Sequence, residues 1–110
     1  MDWIFRWDDM TCALQWGAYA EGRLALRLVD AGTKEPLAIA SLNVPAIPLD
    51  ADELILKDYS ENAGLLEALL NAGLVTLTSR AVRIGQITAP IVRVNPLVLP
   101  GSSTAFVHSD

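Results

Sequence analysis

The chain contains one cysteine, Cys12, and one histidine, His108. A single thiol permits no intramolecular disulfide and no multi-cysteine metal site, which predicts a reducing, cytoplasmic setting. Thr11, Ala13 and Leu14 place no cation beside Cys12, so it reads as a small buried hydrophobe and not as a nucleophile. His108 falls in a C-terminal segment expected to be loose, where a general base is hard to hold to catalytic tolerance. Ser/His/Asp and Cys/His sites are therefore not expected. The seven glycines are dispersed, leaving no phosphate-cradling loop, and no zinc-ligand spacing occurs. No apolar run approaches the roughly 20 residues that span a bilayer, although 52% of the chain is apolar. The start, MDWIFRWDD, lacks the basic flank and apolar centre of a secretion signal, and neither end reads as a lipidation signal.

What is present is negative charge. Thirteen carboxylates face eight basic residues, a net charge of -5. This balance argues against direct nucleic-acid binding, which draws affinity from lysines and arginines that displace counterions. It favours basic partners instead. Trp3, Phe5, Trp7, Trp16 and Tyr19 have stacking faces, but stacking sites come with a positive groove. Here Asp2, Asp8 and Asp9 flank the first three aromatics, so these rings read as core.

The acids are unevenly placed. Asp50, Asp52, Glu53, Asp58, Glu61 and Glu67 lie in one window with Lys57 as its only base, while the other 92 residues balance seven acids against seven bases. A charge run is most simply the solvated side of a helix. A sharper reading follows from helix geometry, since side chains three or four apart lie about 5 to 6 Å from one another. A row of carboxylates at that spacing imitates successive phosphates of a DNA strand. Like charges on a helix repel by a few tenths of a kcal/mol per pair, so selection for stability alone would intersperse lysines. Divergent side chains, or neutralisation by Arg23, Arg27, Arg80 or Arg83, would remove this basis.

The periodicity predicts a fold. Trp3, Phe5 and Trp7 alternate, as do Cys12, Leu14 and Trp16, and then Leu24, Leu26 and Leu28. With Leu37 to Val44 they predict a four-stranded antiparallel meander. Pro45 and Pro48 stop the sheet. Leu54 to Leu56 suit a short helical turn, and a main helix is expected over about 60–72. Asp58 or Ser60 would cap it and Gly73 would close it. Leu74 to Ile84 and Ile87 to Val94 alternate again, with Pro90 at an edge or bulge. The expected fold is α+β: an antiparallel sheet of about five to six strands with the helix on one face. Residues 1–95 form one domain, and residues 96–110 a C-terminal tail, partly packed through Leu97, Val98 and Leu99.

The acidic window offers no enzyme chemistry. Asp50, Asp52 and Glu53 carry oxygens that suit Mg²⁺ or Ca²⁺, but an EF-hand loop needs ligands where this window has leucines. A glycosidase pair needs a cleft in a larger scaffold. No catalytic residue, cofactor or metal is expected, and the chain does not read as an enzyme.

The segments LALRLVD, Glu35-Pro36, LAIASLNV, KDYSENAGLLEALLNAGLV and SRAVRIGQITAPIVRV resemble a family of small uncharacterised proteins from phages, plasmids and conjugative elements. Members often lie near antirestriction genes. The resemblance covers roughly residues 22–95 and brings no known catalytic residues. Where relatives often end sooner, this chain continues with PLVLPGSSTAFVHSD, which leaves the role of the tail open. The resemblance implies an anti-CRISPR or antirestriction inhibitor with a DNA-mimicking surface, acting in the cytoplasm of the bacterial host. Its partner would be the basic nucleic-acid-binding surface of a host CRISPR or restriction protein, with no direct nucleic-acid contact and no membrane. Asp50, Asp52, Glu53, Asp58, Glu61 and Glu67 would meet lysines and arginines, with Leu54, Ile55 or Tyr59 as apolar anchors. The alternative is a structural or assembly module of a mobile element that acts as a homodimer through a sheet edge.

Overall fold

The computed structural model describes residues 3–100 and the strand Phe106–Val107. The alternating segments of the first half become strands β1 (Ile4–Trp7), β2 (Met10–Ala18), β3 (Leu24–Asp30) and β4 (Pro36–Ile39). They pair antiparallel in that order. Alternation sends Phe5, Trp7, Cys12, Leu26 and Leu28 to one side, where they are buried.

The single expected sheet is two sheets. Leu37 to Val44 does not continue as one strand, because the chain changes sheets at the fully buried Ala40. Its N–H donates to Leu26 O at 2.9 Å, and its carbonyl accepts from Lys57 N at 2.7 Å. A register shift between Leu28 and Val29 precedes this corner, and bends of this kind let a strand move between packed sheets. The second sheet runs β5 (Ser41–Leu42), β6 (Glu53–Leu56), β8 (Ile87–Val94), β7 (Val75–Ile84), all antiparallel. A short strand β9 (Phe106–Val107) lies parallel beside Gly17 and Ala18 of β2.

The main core fills the space between the sheets. Leu54, Leu56, Val75, Val92 and Val94 of the second sheet meet Phe5, Trp7, Leu26 and Leu28 of the first. A smaller cluster of Ile55, Val82, Ala89 and Ile91 occupies the opposite face of the second sheet, covered by Leu42, Val44, Ile47 and Leu49. This two-sided burial explains why β6 was expected to be helical. All four residues of its ELIL sequence are buried, and a short apolar run has no period that separates strand from helix.

The helix is also shorter than expected. Ser60–Asn62 forms a 3-10 turn, and α1 (Leu65–Asn71) begins after Gly64 at φ 88. That left-handed residue breaks a continuous 60–72 helix, and the fully buried Asn62 is drawn inward to donate to Ile39 O and Lys57 O. Asp58 Oδ1 accepts from Leu66 N at 2.8 Å, and Gly73 at φ 74 closes the helix. Leu65 and Leu69 face the core, and Trp7 Nε1 donates to Ala63 O at 3.3 Å.

After β8 the chain stays on the body. Val98 is buried and its carbonyl accepts from Trp16 Nε1 at 2.9 Å, while Leu97 is 77% exposed. Strand β9 stands where loose chain was expected, and His108 lies outside the described residues. Among the described residues no helix is long and apolar enough to cross a membrane.

Candidate functional site

Asp50, Asp52 and Glu53 lie in the turn that enters β6 and at its first residue, not on a helix. Antiparallel pairing places Glu53 opposite Arg93 of β8, and Arg93 opposite Thr76 of β7. One guanidinium therefore reaches all three acids: Arg93 Nη1 donates to Asp52 Oδ1 at 2.6 Å, and Nη2 to Glu53 Oε2 at 3.0 Å and to Asp50 Oδ2 at 3.4 Å. The hydrogen bond that Arg93 donates to Asp52 is the first cause of its raised pKa, so this cation stays charged.

Glu53 is only 3% exposed. Its Oε1 accepts from Arg80 Nη1 at 3.1 Å and from Asp50 N at 2.8 Å. Arg80 reaches it because β7 is bulged. Between Leu77 and Ala81 the register shifts, Ser79 takes φ 71, and Thr78 Oγ1 donates to Ile91 O at 2.8 Å. Extra residues in a bulged strand re-aim a side chain, and here the side chain is Arg80. Pro90 stands opposite Ala81 beside the bulge, beyond the stretch of β8 that pairs with β6, so its missing N–H breaks no bond to β6.

The other acids lie beyond the far end of β6, a strand roughly 13 Å long at about 3.3 Å per residue. Lys57 Nζ donates to Glu61 Oε2 at 2.5 Å and sits 5.8 Å from the Tyr59 ring centroid. That hydrogen bond is the first cause of a lowered Glu61 pKa. Glu61 is 65% exposed on its side chain, and Glu67 is exposed on α1. Asp58 is half-buried and engaged at the helix start, where its charge suits the exposed amides. Asn62 ties Ile39 O and Lys57 O together, so the exposed Ile39 adjoins this anionic turn.

The acidic window is thus two separate groups and not one helical row. Glu53 is internal, and Asp52 is held by Arg93. Neither is presented as the expected surface required. Leu54 and Ile55, named as possible anchors, are buried and unavailable, whereas Tyr59 is partly exposed. Of the four arginines named as possible neutralisers, Arg80 does act on Glu53. Arg93 was missed, and it engages more acids than any other cation described above. Its position three residues after Pro90 in an alternating strand gave no hint of a partner 40 residues away.

Arg23 organises the adjoining loop. Its Nη1 donates to Val44 O at 2.9 Å, and its Nη2 to Pro45 O at 3.3 Å and to Ile47 O. A cleft of about 180 Å³ lies between Glu21, Arg23 and Leu24 on one side and Leu49, Asp50 and Ala51 on the other. Among the described residues no group of three or more His, Cys, Asp or Glu side chains is arranged to hold a metal ion.

No family model, no curated protein and no solved structure matches this chain.

Proposed function

We propose that this chain is a non-enzymatic inhibitor of a bacterial defence complex, of the anti-CRISPR or antirestriction type, that occupies a basic nucleic-acid-binding surface with its own carboxylates. The observation that carries the reading is the group of Asp58, Glu61 and Glu67 that follows β6, of which Glu61 and Glu67 are exposed. In this reading the contact surface is Asp58, Tyr59, Glu61 and Glu67, with the 72% exposed Asp50 at the opposite end of β6. Asp52 and Glu53 then act as structural groups.

Magnitudes support this division. An exposed pair such as Lys57–Glu61 is weak because solvent screens it, so a partner's lysine or arginine replaces Lys57 at little cost. Removing Glu53 from a buried pair costs several times more. Tyr59 and the 38% exposed Ile39 supply an apolar anchor beside the charges, and the charges supply orientation and association rate. Occupancy alone excludes nucleic acid, so no chemical step is required.

The test is capture from bacterial lysates containing CRISPR effectors, at low and high salt. The unaltered chain is expected to retain an effector at low salt and release it at high salt. Glu61→Lys with Glu67→Lys should retain roughly ten-fold less. Asp58 is left intact because it caps α1. Equal retention by the variant would remove the anionic surface from the account.

A second reading, an assembly module acting as a homodimer, draws on β7. This strand of ten residues lies at the edge of its sheet, and Leu77 on it is 56% exposed. The bulge at Ser79 interrupts that edge, which weakens it as a pairing template. Light scattering that gives the mass of a dimer would favour this reading, and a monomer would dismiss it.

A further inference from the structure

Strand β7 has one open side. It ends the order β5, β6, β8, β7, and among the described residues only β8 pairs with it. The phase of that pairing decides which backbone groups face outward. Gly85 at φ 60 and Gln86 form a two-residue turn that sets Ile84 opposite Ile87, and residues flanking such a turn exchange both of their backbone bonds. Two residues back, Val82 and Ala89 do the same. Ala81 and Arg83 then direct their N–H and C=O away from β8, to the open side. Pro90 opposite Ala81 fits this phase, because a residue at that position owes β7 no N–H. The bulge at Ser79 confines the straight part of the edge to residues 81–84.

Charge and shape decide what this edge can take. Residues 75–94 contain three arginines and no carboxylate. Arg80 and Arg93 bond to the acids at the start of β6. Arg83 donates through Nε to Gly85 O and meets no carboxylate among the described residues. The register puts Arg83 on the same face as the exposed Ala81 and the half-buried Pro90, and the 56% exposed Leu77 lies on that face beyond the bulge. A second β7 would bring only positive charge to this edge, and like charges across a strand pair repel. An acidic strand is the complement.

We propose that residues 81–84 take an extended acidic segment of a partner protein as an added antiparallel strand. Its carboxylate lies opposite Arg83, and an apolar side chain two residues later lies over Ala81, against Leu77 and Pro90. Backbone bonds to Ala81 and Arg83 supply affinity, and the two side chains supply selection. The edge shares no residue with the anionic surface, so the basic partner of that surface is not required for this contact.

The test adds a capped synthetic peptide of sequence STVEVLTS to the full chain and follows amide hydrogen exchange. In the free chain Ala81 and Arg83 should exchange roughly ten-fold or more faster than Val82 and Ile84. Saturating peptide should slow Ala81 and Arg83 by roughly ten-fold and leave Val82 and Ile84 unchanged. The same peptide with Lys in place of Glu should bind roughly five-fold more weakly, and an Arg83→Glu chain should reverse that preference. If Arg83→Glu does not fold, Arg83→Gln should bind the two peptides alike. A peptide N-methylated at its Glu and Leu leaves the protein untouched and should not bind. Unslowed exchange at Ala81 and Arg83 under excess peptide, equal affinity of the unaltered chain for the Glu and Lys peptides, or binding of the N-methylated peptide would overturn the proposal. A dimeric free chain with both amides already slow would assign the edge to a second copy and overturn it as well.

Discussion

Arg80 Nη1 lies 3.1 Å from Glu53 Oε1, across 27 residues of sequence, and it bonds a carboxylate that is almost wholly buried. The same carboxylate accepts from Arg93 Nη2 and Asp50 N. Glu53 is thus the point where β6, β7, β8 and the turn entering β6 meet.

Replacing Glu53 with Ala leaves two arginines and an amide without their acceptor. The cost should be about 2–4 kcal/mol, below the upper end for a fully buried pair because the arginines remain partly hydrated. Arg80→Ala should cost less, about 1–2 kcal/mol, since Arg93 still neutralises the acid. Urea unfolding followed by circular dichroism gives both values, and a Glu53→Ala chain as stable as the original would show that the network is not needed.

Asn62 provides a second link. It donates to Ile39 O at 2.9 Å and Lys57 O at 3.1 Å, joining β4 to the turn before α1. Asn62→Ala should destabilise by about 2–3 kcal/mol, because buried carbonyls lose their donor and a small void remains. The Lys57 amide, bonded to Ala40 O, should exchange faster in this variant.

These two residues mark the limit of what the sequence discloses. β1, β2 and β3 are visible because alternation every second residue and the Glu21-Gly22 break are local signals, and the β7–β8 turn is marked by Gly85-Gln86. The chain's move between sheets at Ala40 has no such signal, since it depends on one small buried residue that both sheets share. Glu53 reads as surface because carboxylates usually are, and no local signal marks Asn62 as buried. Only long-range pairing supplies the partners that permit their burial. The bulge that aims Arg80 likewise depends on Ser79 adopting positive φ, which nothing in TLTSRAV requires. The acids of the candidate surface were legible as composition, and their division between the two ends of β6 was not.

Cys12 should be inert in the folded chain. Burial raises its pKa first and the nearby Asp30 charge adds to this, with Arg6 opposing. Since the thiolate is the reactive form, a disulfide reagent at neutral pH should modify Cys12 only as fast as the chain unfolds. Rapid labelling of native protein would contradict the burial.

Asp30 gives a pH signature. Its carboxylate accepts from Thr33 N at 2.9 Å and Gly32 N at 2.8 Å, and these backbone bonds, Thr33 first, lower its pKa. A depressed carboxylate stabilises the fold fully above its unfolded pKa, and that contribution disappears as pH falls through the lower folded value. NMR titration should place the folded Asp30 midpoint below that of the urea-unfolded chain. Asp30→Asn should lack this part of the acid sensitivity, and identical pH profiles would contradict the assignment.

The central claim is that an anionic turn and helix face compete with nucleic acid for a basic protein surface. Its most direct test is displacement of labelled duplex DNA from the CRISPR effectors of a bacterial lysate by increasing amounts of the purified chain. The account predicts loss of bound DNA that weakens with salt, and a need for roughly ten-fold more of the Glu61→Lys, Glu67→Lys variant with unchanged circular dichroism. DNA that stays bound under a saturating excess of the chain, or a variant that displaces it equally well, would contradict the account.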